Sequence, residues 1–194
     1  MSTSLGNCIS NYIYLAANED YAQGLVKLCE RCALNDNRVL LITKRKGSTT
    51  SSFSKCLKVL QVVDIESAPC RLLDLQENIS ADISAPNLIV FDLHSLILEA
   101  IQRPVMQQCS TDQMVRHIAK CAAAFVNYKE QVAATMKQRG QGEALDTIVV
   151  MSQDSYPLTP AQFKLLIGLY FCGNECHTIF SKLAGRISVS QGCD

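Results

Sequence analysis

Short apolar runs, rich in β-branched residues and separated by segments of helical periodicity, are the feature that most constrains the fold of this chain. Three runs stand out, at 39–43, 88–92 and 147–152; a weaker run lies at 12–16 and another at 59–65. Runs that alternate with helices in this way are typical of a mostly parallel β-sheet with helices on its faces. The sequence therefore predicts an α/β fold built on such a sheet.

The segments between the runs carry apolar residues every three or four positions, which predicts helices. Asp20 is a candidate N-cap for the first helix, Asp92 for the second, and Ser110 with Gln113 forms a candidate capping box for the third. The expected helices span Tyr21–Leu34, 93–100, 111–137 and 161–170. Two last runs, at 176–180 and 186–190, predict a C-terminal β-hairpin or two edge strands.

Length and composition indicate one domain. The 194 residues, 48% of them hydrophobic, suffice for one sizeable core, so we expect a single domain over 1–194 with a flexible N-terminus (1–11) and a mobile loop (44–54). Eighteen basic and eighteen acidic residues cancel, which excludes a global positive field directed at nucleic acid. The chain shows no cationic leader and no run of about 18 apolar residues. We therefore expect a protein of the nucleus or cytoplasm without membrane contact.

The ten cysteines are expected to be reduced and mostly buried, as small apolar side chains. Cys29 with Cys32, and Cys172 with Cys176 and His177, have spacings that zinc sites also use. Cys29 and Cys32, however, lie on the apolar stripe of the first predicted helix. Core packing is therefore the preferred interpretation, and we expect no disulfide and no metal.

The segment after the first run lacks the chemistry of a phosphate loop. In RecA-type nucleoside triphosphatases this place holds GxxxxGK[ST], whose backbone N–H groups and lysine bind phosphates and whose hydroxyl binds magnesium. Residues 16–24 of this chain read AANEDYAQG, without lysine, serine or threonine in register. Asn18, Glu19 and Asp20 stand in the loop, and the two carboxylates would repel phosphates. The sequence predicts a vestigial nucleotide site that holds no cofactor.

Two later positions belong to the same predicted site. Residues 87–92, NLIVFD, resemble a Walker B strand, whose aspartate orients magnesium and water. A plain helix N-cap is the alternative for Asp92, and the missing phosphate loop favours it. Gln153 follows the 147–152 run, where RecA-like folds place a polar residue that senses the γ-phosphate; without nucleotide it would be a remnant.

Taken together, these segments resemble the RecA-like recombinase-paralogue subunit of Shu-type complexes. The resemblance rests on 12–24, 38–46, 88–93, the tail LLIGLYF at 165–171 and CHTI at 176–179. It implies a RecA-like P-loop NTPase core that has lost ATP hydrolysis. It also implies a non-catalytic adaptor in a hetero-oligomer, located in the nucleus. The implied partners are a SWIM-domain zinc protein or another RecA-like paralogue and a recombinase filament on single-stranded DNA, in homologous recombination repair.

The resemblance further suggests a partner interface beside the vestigial site, because RecA-like domains associate through their nucleotide face. The candidate residues are apolar or aromatic and lie near that site in the sequence. Ordinary core packing is the alternative, and it is the stronger one for the last three, which follow a core strand at helical spacing. The candidates are Tyr14, Tyr21, Leu93, Leu96 and Ile97.

A local basic cluster is the candidate for contact with DNA. Lys44, Arg45 and Lys46 precede a Gly/Ser/Thr-rich stretch, and a mobile cationic loop of this kind can follow a phosphate backbone. A solvated loop is the alternative, and the scarcity of aromatic residues nearby favours it slightly.

Two other functions fit the lost phosphate loop. One is a non-ATPase RecA-like subunit of an Elongator-type complex that modifies transfer RNA; co-purification with ring subunits rather than a SWIM protein would distinguish it. The other is a small NTPase with a divergent phosphate loop. Tight ATP binding that depends on Asp92 would favour that enzyme over both adaptors.

Overall fold

A computed structural model describes residues 12–15, 21–34, 37–45, 56–78, 85–103, 110–140, 145–152 and 158–171. The expected hairpin at 176–180 and 186–190, the segment 1–11 and most of the loop 44–54 lie outside these residues. No helix in the described ranges is long and apolar enough to cross a lipid bilayer.

The fold is α/β, with a five-stranded sheet in which every neighbouring pair is parallel, as predicted. The strands follow the order β1-β5-β4-β2-β3 across the sheet. β2 is buried at all five positions, as expected for a strand covered on both faces. The strands are β1 (Tyr12–Leu15), β2 (Val39–Thr43), β3 (Leu57–Gln61), β4 (Leu88–Phe91) and β5 (Asp146–Met151).

Within the described ranges, five α-helices accompany the sheet, and the last passes into a π-helical turn, Ile167–Phe171. Ser110 and Gln113 form the predicted capping box at the start of the longest helix. Thr159 and Gln162 form a second box. The helices are α1 (Tyr21–Leu34), α2 (Ala68–Asn78), α3 (Leu93–Gln102), α4 (Thr111–Gln138) and α5 (Pro160–Leu166).

Two elements differ from the sequence prediction. β3 spans Leu57–Gln61 rather than 59–65, because its pairing with β2 begins at Val39 opposite Leu57. The helix α2 was not predicted from its sequence, APCRLLDLQEN, which has proline at the second position and five charged or amide residues among its eleven. Packing against α4 stabilises it, with Leu72 buried in the core.

The direction of the chain across the sheet separates the helices into two layers. From β1 to β2 the chain moves three positions one way, whereas from β3 to β4 and from β4 to β5 it moves back. Because such crossovers are right-handed, α1 belongs on one face and α2, α3 and α4 on the other. The two core clusters agree with this. Val90 packs with α1, and Phe91 packs on the opposite face, where its ring stacks on Phe125 of α4 with centroids 4.7 Å apart.

This arrangement places a candidate site at one edge of the sheet. In open α/β sheets, ligands bind beyond the carboxyl ends of the strands, where successive connections leave toward opposite faces. Here α1 follows β1 toward one face and α3 follows β4 toward the other. The candidate site therefore consists of the residues that follow β2 and β4 and those that begin α1 and α3.

Candidate functional site at the carboxyl edge of the sheet

A buried carboxylate, Asp92, lies at the centre of this edge. It directly follows β4, and its backbone N–H donates to the Ile42 carbonyl oxygen of β2 at 2.8 Å, which extends the sheet by one residue. The residue is only 1% exposed. A carboxylate in such a position is stable only when hydrogen-bond donors replace the water it has lost.

Three donors meet the carboxylate of Asp92. Its Oδ1 accepts from the Tyr21 hydroxyl at 3.2 Å and from the Ser95 backbone N–H at 3.1 Å, and its Oδ2 accepts from the Thr43 hydroxyl at 2.8 Å. The Ser95 hydroxyl donates to the Asp92 carbonyl oxygen at 2.9 Å. Asp92 is thus the N-cap of α3, which confirms the capping interpretation, and it also joins α1, β2 and α3.

Tyr21, the first residue of α1, fills the space in front of Asp92. The side chain is buried, and its ring meets the His94 ring edge-on with centroids 5.1 Å apart. Burial, and next the nearby Asp92 charge, raise the pKa of the Tyr21 phenol above its usual range, so it remains a hydrogen-bond donor at neutral pH. Burial lowers the pKa of His94, which favours its neutral form.

The two described residues of the predicted DNA-binding cluster have different surroundings. The Lys44 ammonium donates to the Val63 carbonyl oxygen and forms an ion pair with Glu99 at 3.6 Å. Arg45 is exposed, and its guanidinium carbon lies 4.9 Å from the centre of the Tyr21 ring. Lys44 therefore contributes less free charge to a nucleic-acid surface than the sequence suggested. Lys46 lies outside the described residues.

Of the predicted nucleotide site, the structure describes Asp92 alone, because Asn18, Glu19, Asp20 and Gln153 lie outside the described residues. Asp92 contacts Tyr21, which the sequence analysis placed in the partner interface. Thr43, Ser95 and His94 belong to the cluster and were missed by sequence reasoning. Thr43 looked like one more β-branched residue of a strand. The pattern Asp-x-x-Ser at 92–95 is the signal that could have identified Ser95, because an N-cap side chain bonds the third helical residue.

The predicted interface residues are mostly inside the protein. Leu93, Leu96 and Ile97 are 0% exposed and belong to the core cluster on the α3 face. They offer no surface to a partner, so core packing, the alternative interpretation, replaces the interface prediction for these three. Tyr21 is buried as well. For Tyr14 the structure describes the backbone position in β1 only.

Chemically, the cluster uses Asp92 mainly as an acceptor for the protein's own donors. A carboxylate has about four acceptor positions, and three of those of Asp92 are occupied from within the protein. One acceptor position, on Oδ2, remains, and a ligand that used Oδ1 would have to displace the Tyr21 hydroxyl or the Ser95 N–H. Among the described residues, no group of three or more histidine, cysteine or acidic side chains could hold a metal.

Two of the five described cysteines are packed core side chains, whereas Cys32 and Cys56 are partly buried and Cys70 is exposed. Cys29 and Cys121 are fully buried, and burial raises the pKa of both thiols, that of Cys121 to about 12. The Cys121 thiol donates to the Ile65 carbonyl oxygen at 3.0 Å. Neither thiol is activated as a nucleophile, because reactivity requires the thiolate form.

At the amino edge of the sheet, Asp146 is a second notable carboxylate. It begins β5, and no donor among the described residues bonds its side chain. Burial raises the pKa of Asp146 to about 6. Unlike Asp92, this carboxyl therefore receives no compensating hydrogen bond from the part of the chain that the structure describes.

Comparison with known proteins adds no relative: no protein-family model matches the chain, and no curated protein matches it.

Proposed function

We propose that this chain is a non-catalytic, RecA-like adaptor of the recombinase-paralogue kind. It binds a partner paralogue or a SWIM-domain protein and helps recombinase filaments to assemble or persist on single-stranded DNA. The observation that carries the proposal is the bonding of Asp92, whose two carboxylate oxygens accept from Tyr21, Thr43 and Ser95.

The position of this cluster supports an origin as a nucleotide site. Asp92 follows a buried parallel strand, and α1 begins beside it, at the edge where α/β folds bind ligands. An active P-loop enzyme would hold phosphates at the start of α1 and magnesium near the aspartate. Here a buried tyrosine begins that helix, and the sequence before it supplies carboxylates instead of a lysine.

The remaining chemistry favours binding to another protein over catalysis. His94 is buried beside Tyr21, and the Asp92 carboxylate is capped, so neither is placed as an open general base or metal ligand. A RecA-like protomer without nucleotide can still present its carboxyl edge to a neighbour. The assignment to recombination is based on the resemblance of the sequence segments to recombinase paralogues. The same resemblance is the reason for proposing the recombinase filament and the SWIM-domain protein as partners.

Affinity purification of the tagged full chain from its native cells, followed by mass spectrometry, tests this function. We expect a stoichiometric SWIM-domain protein or RecA-like paralogue, together with a recombinase at lower abundance. Recovery of ring subunits of a transfer-RNA-modifying complex would show that the adaptor acts in transfer-RNA modification and would contradict the recombination role. Recovery of the chain alone, as a stable monomer, would contradict any adaptor function.

A further inference from the structure

The charges at the carboxyl edge of the sheet are unevenly compensated. Lys44 pairs with Glu99 at 3.6 Å. Arg103, at the end of α3, pairs with Glu99, with Asp64 at 3.4 Å and with Glu66 at 3.5 Å. These two cations are thus neutralised within the protein.

Arg45 is the exception among the described cations of this edge. No carboxylate of the described residues forms an ion pair with it, although its side chain is exposed and lies directly over the closed cluster. One exposed guanidinium without a carboxylate partner among the described residues is by itself a poor match for a polyanion such as DNA, which is bound by several cations in a row. It is a good match for one carboxylate, which its planar fork can bind through two parallel hydrogen bonds.

Arg45 is also held in place before any partner arrives. Its backbone N–H donates to the Thr43 hydroxyl oxygen at 3.2 Å, and that hydroxyl donates to Asp92. Its guanidinium rests on the ring of Tyr21, whose hydroxyl bonds the same Asp92. An arginine ordered in this way loses less conformational entropy on binding, which is a property of residues that dominate binding energy at protein interfaces.

We propose that Arg45 is an anchor of a protein–protein interface and takes an aspartate or glutamate side chain of the partner. The inference rests on the adaptor function proposed above and specifies its contact. In this proposal the buried cluster of Asp92, Tyr21 and Thr43 orients Arg45 toward the partner. Lys44 has no part in the contact, because Glu99 already compensates its charge.

Charge reversal in the complex purified from native cells tests the anchor. Arg45→Glu should weaken binding of the co-purified protein at least about tenfold, the effect of losing a strong interface residue. Arg116→Glu, which reverses an exposed cation on α4, is the matched control and should leave binding unchanged. Circular dichroism of each variant establishes that the fold is retained. A complex that tolerates Arg45→Glu overturns the inference and leaves the adaptor function standing.

Zero-length cross-linking identifies the chemistry of the contact. In the Arg45→Lys variant, a carbodiimide should join the new amine to an aspartate or glutamate of the partner, and peptide mapping should locate the bond. Arg45→Gln, which has no amine, should give no such product. A complex that forms with Arg45→Lys but yields no cross-link at position 45 contradicts the carboxylate assignment.

A labelled oligothymidine strand tests the competing ligand. At a partner concentration high enough to restore the complex with Arg45→Glu, the anchor predicts that binding of the strand is unchanged. If Arg45→Glu abolishes binding of the strand while the protein complex stays intact, Arg45 serves a nucleic acid and the inference is wrong. If the wild-type chain brings down no stoichiometric protein, the adaptor function fails, and the anchor fails with it.

Discussion

At the scale of single residues, Asp92 and Asp146 show two outcomes for a carboxyl group in a sheet of this kind. Asp92 is the more deeply buried, yet three donors and its role as N-cap of α3 compensate the lost hydration. Asp146 is less buried and has no such donors among the described residues, and its pKa rises to about 6. The sequence alone did not show which of the two carboxyl groups would be hydrogen-bonded, because two donors to Asp92, Tyr21 and Thr43, lie far from it in the chain.

Removal of the Tyr21 hydroxyl should destabilise the protein. Tyr21→Phe keeps the ring beneath Arg45 but leaves Asp92 with one donor fewer, and a lost hydrogen bond to a charged group costs about 1–3 kcal/mol. Urea unfolding of the full chain measures the change in the free energy of unfolding. Tyr170→Phe is the control, because no described residue bonds that hydroxyl, and it should be neutral. Equal stability of Tyr21→Phe and wild type would show that the bond to Asp92 does not support the cluster.

Replacement of Asp146 should stabilise the protein at neutral pH. The pKa of Asp146 rises from 3.8 to about 6 on folding, so the folded state binds this proton more tightly and loses stability as pH rises between these values. Asp146→Asn removes the penalty. We expect a gain on the order of 1 kcal/mol at pH 7, after allowance for solvent at a half-buried group, and none below about pH 4.

Unfolding curves at both pH values measure this gain, with the exposed Asp74→Asn as control. A gain that is as large at low pH as at pH 7 would mean that the charge of Asp146 is not its cause.

At the scale of elements, local signals predicted most of the helices and strands. The capping box of Ser110 and Gln113 and the apolar stripe of α4 were visible in the sequence, and the structure confirms both. The start of β3 was not visible in the sequence, because its pairing with β2 determines it. The helix α2 was not visible either, because its packing on α4 stabilises it. Where local propensity is weak, tertiary contacts determine the element, and a single sequence does not display those contacts.

The N-cap of α4 is open to a direct test. Ser110→Ala removes the acceptor of the Gln113 N–H, 3.3 Å away, and should lower the free energy of unfolding by about 1 kcal/mol. Ser110→Asp preserves an acceptor and adds a favourable charge at the helix start, so its stability should match or exceed that of the wild type. Thermal or urea unfolding compares the three proteins. If the alanine and aspartate variants are equally destabilised, the cap is not the reason.

At the scale of the whole molecule, the strand order brings distant residues to one edge. α1 crosses one face of the sheet and α3 follows the other, so Tyr21 and Asp92 meet although 71 positions separate them. The parallel α/β class followed from the alternation of runs and helical patterns. The sequence did not predict that α1, β2 and α3 would together donate hydrogen bonds to Asp92 at the carboxyl edge. That arrangement depends on the direction of each crossover and on residues far apart in the chain.

We propose that the donors around Asp92 leave this edge without a nucleotide site. Calorimetric titration of the full chain with ATP and magnesium measures nucleotide binding. We expect no saturable binding up to about 1 mM, a threshold that corresponds to a binding free energy of about −4 kcal/mol. Micromolar binding that requires magnesium and disappears in Asp92→Asn would show that the edge still binds nucleotide and that the proposal is wrong.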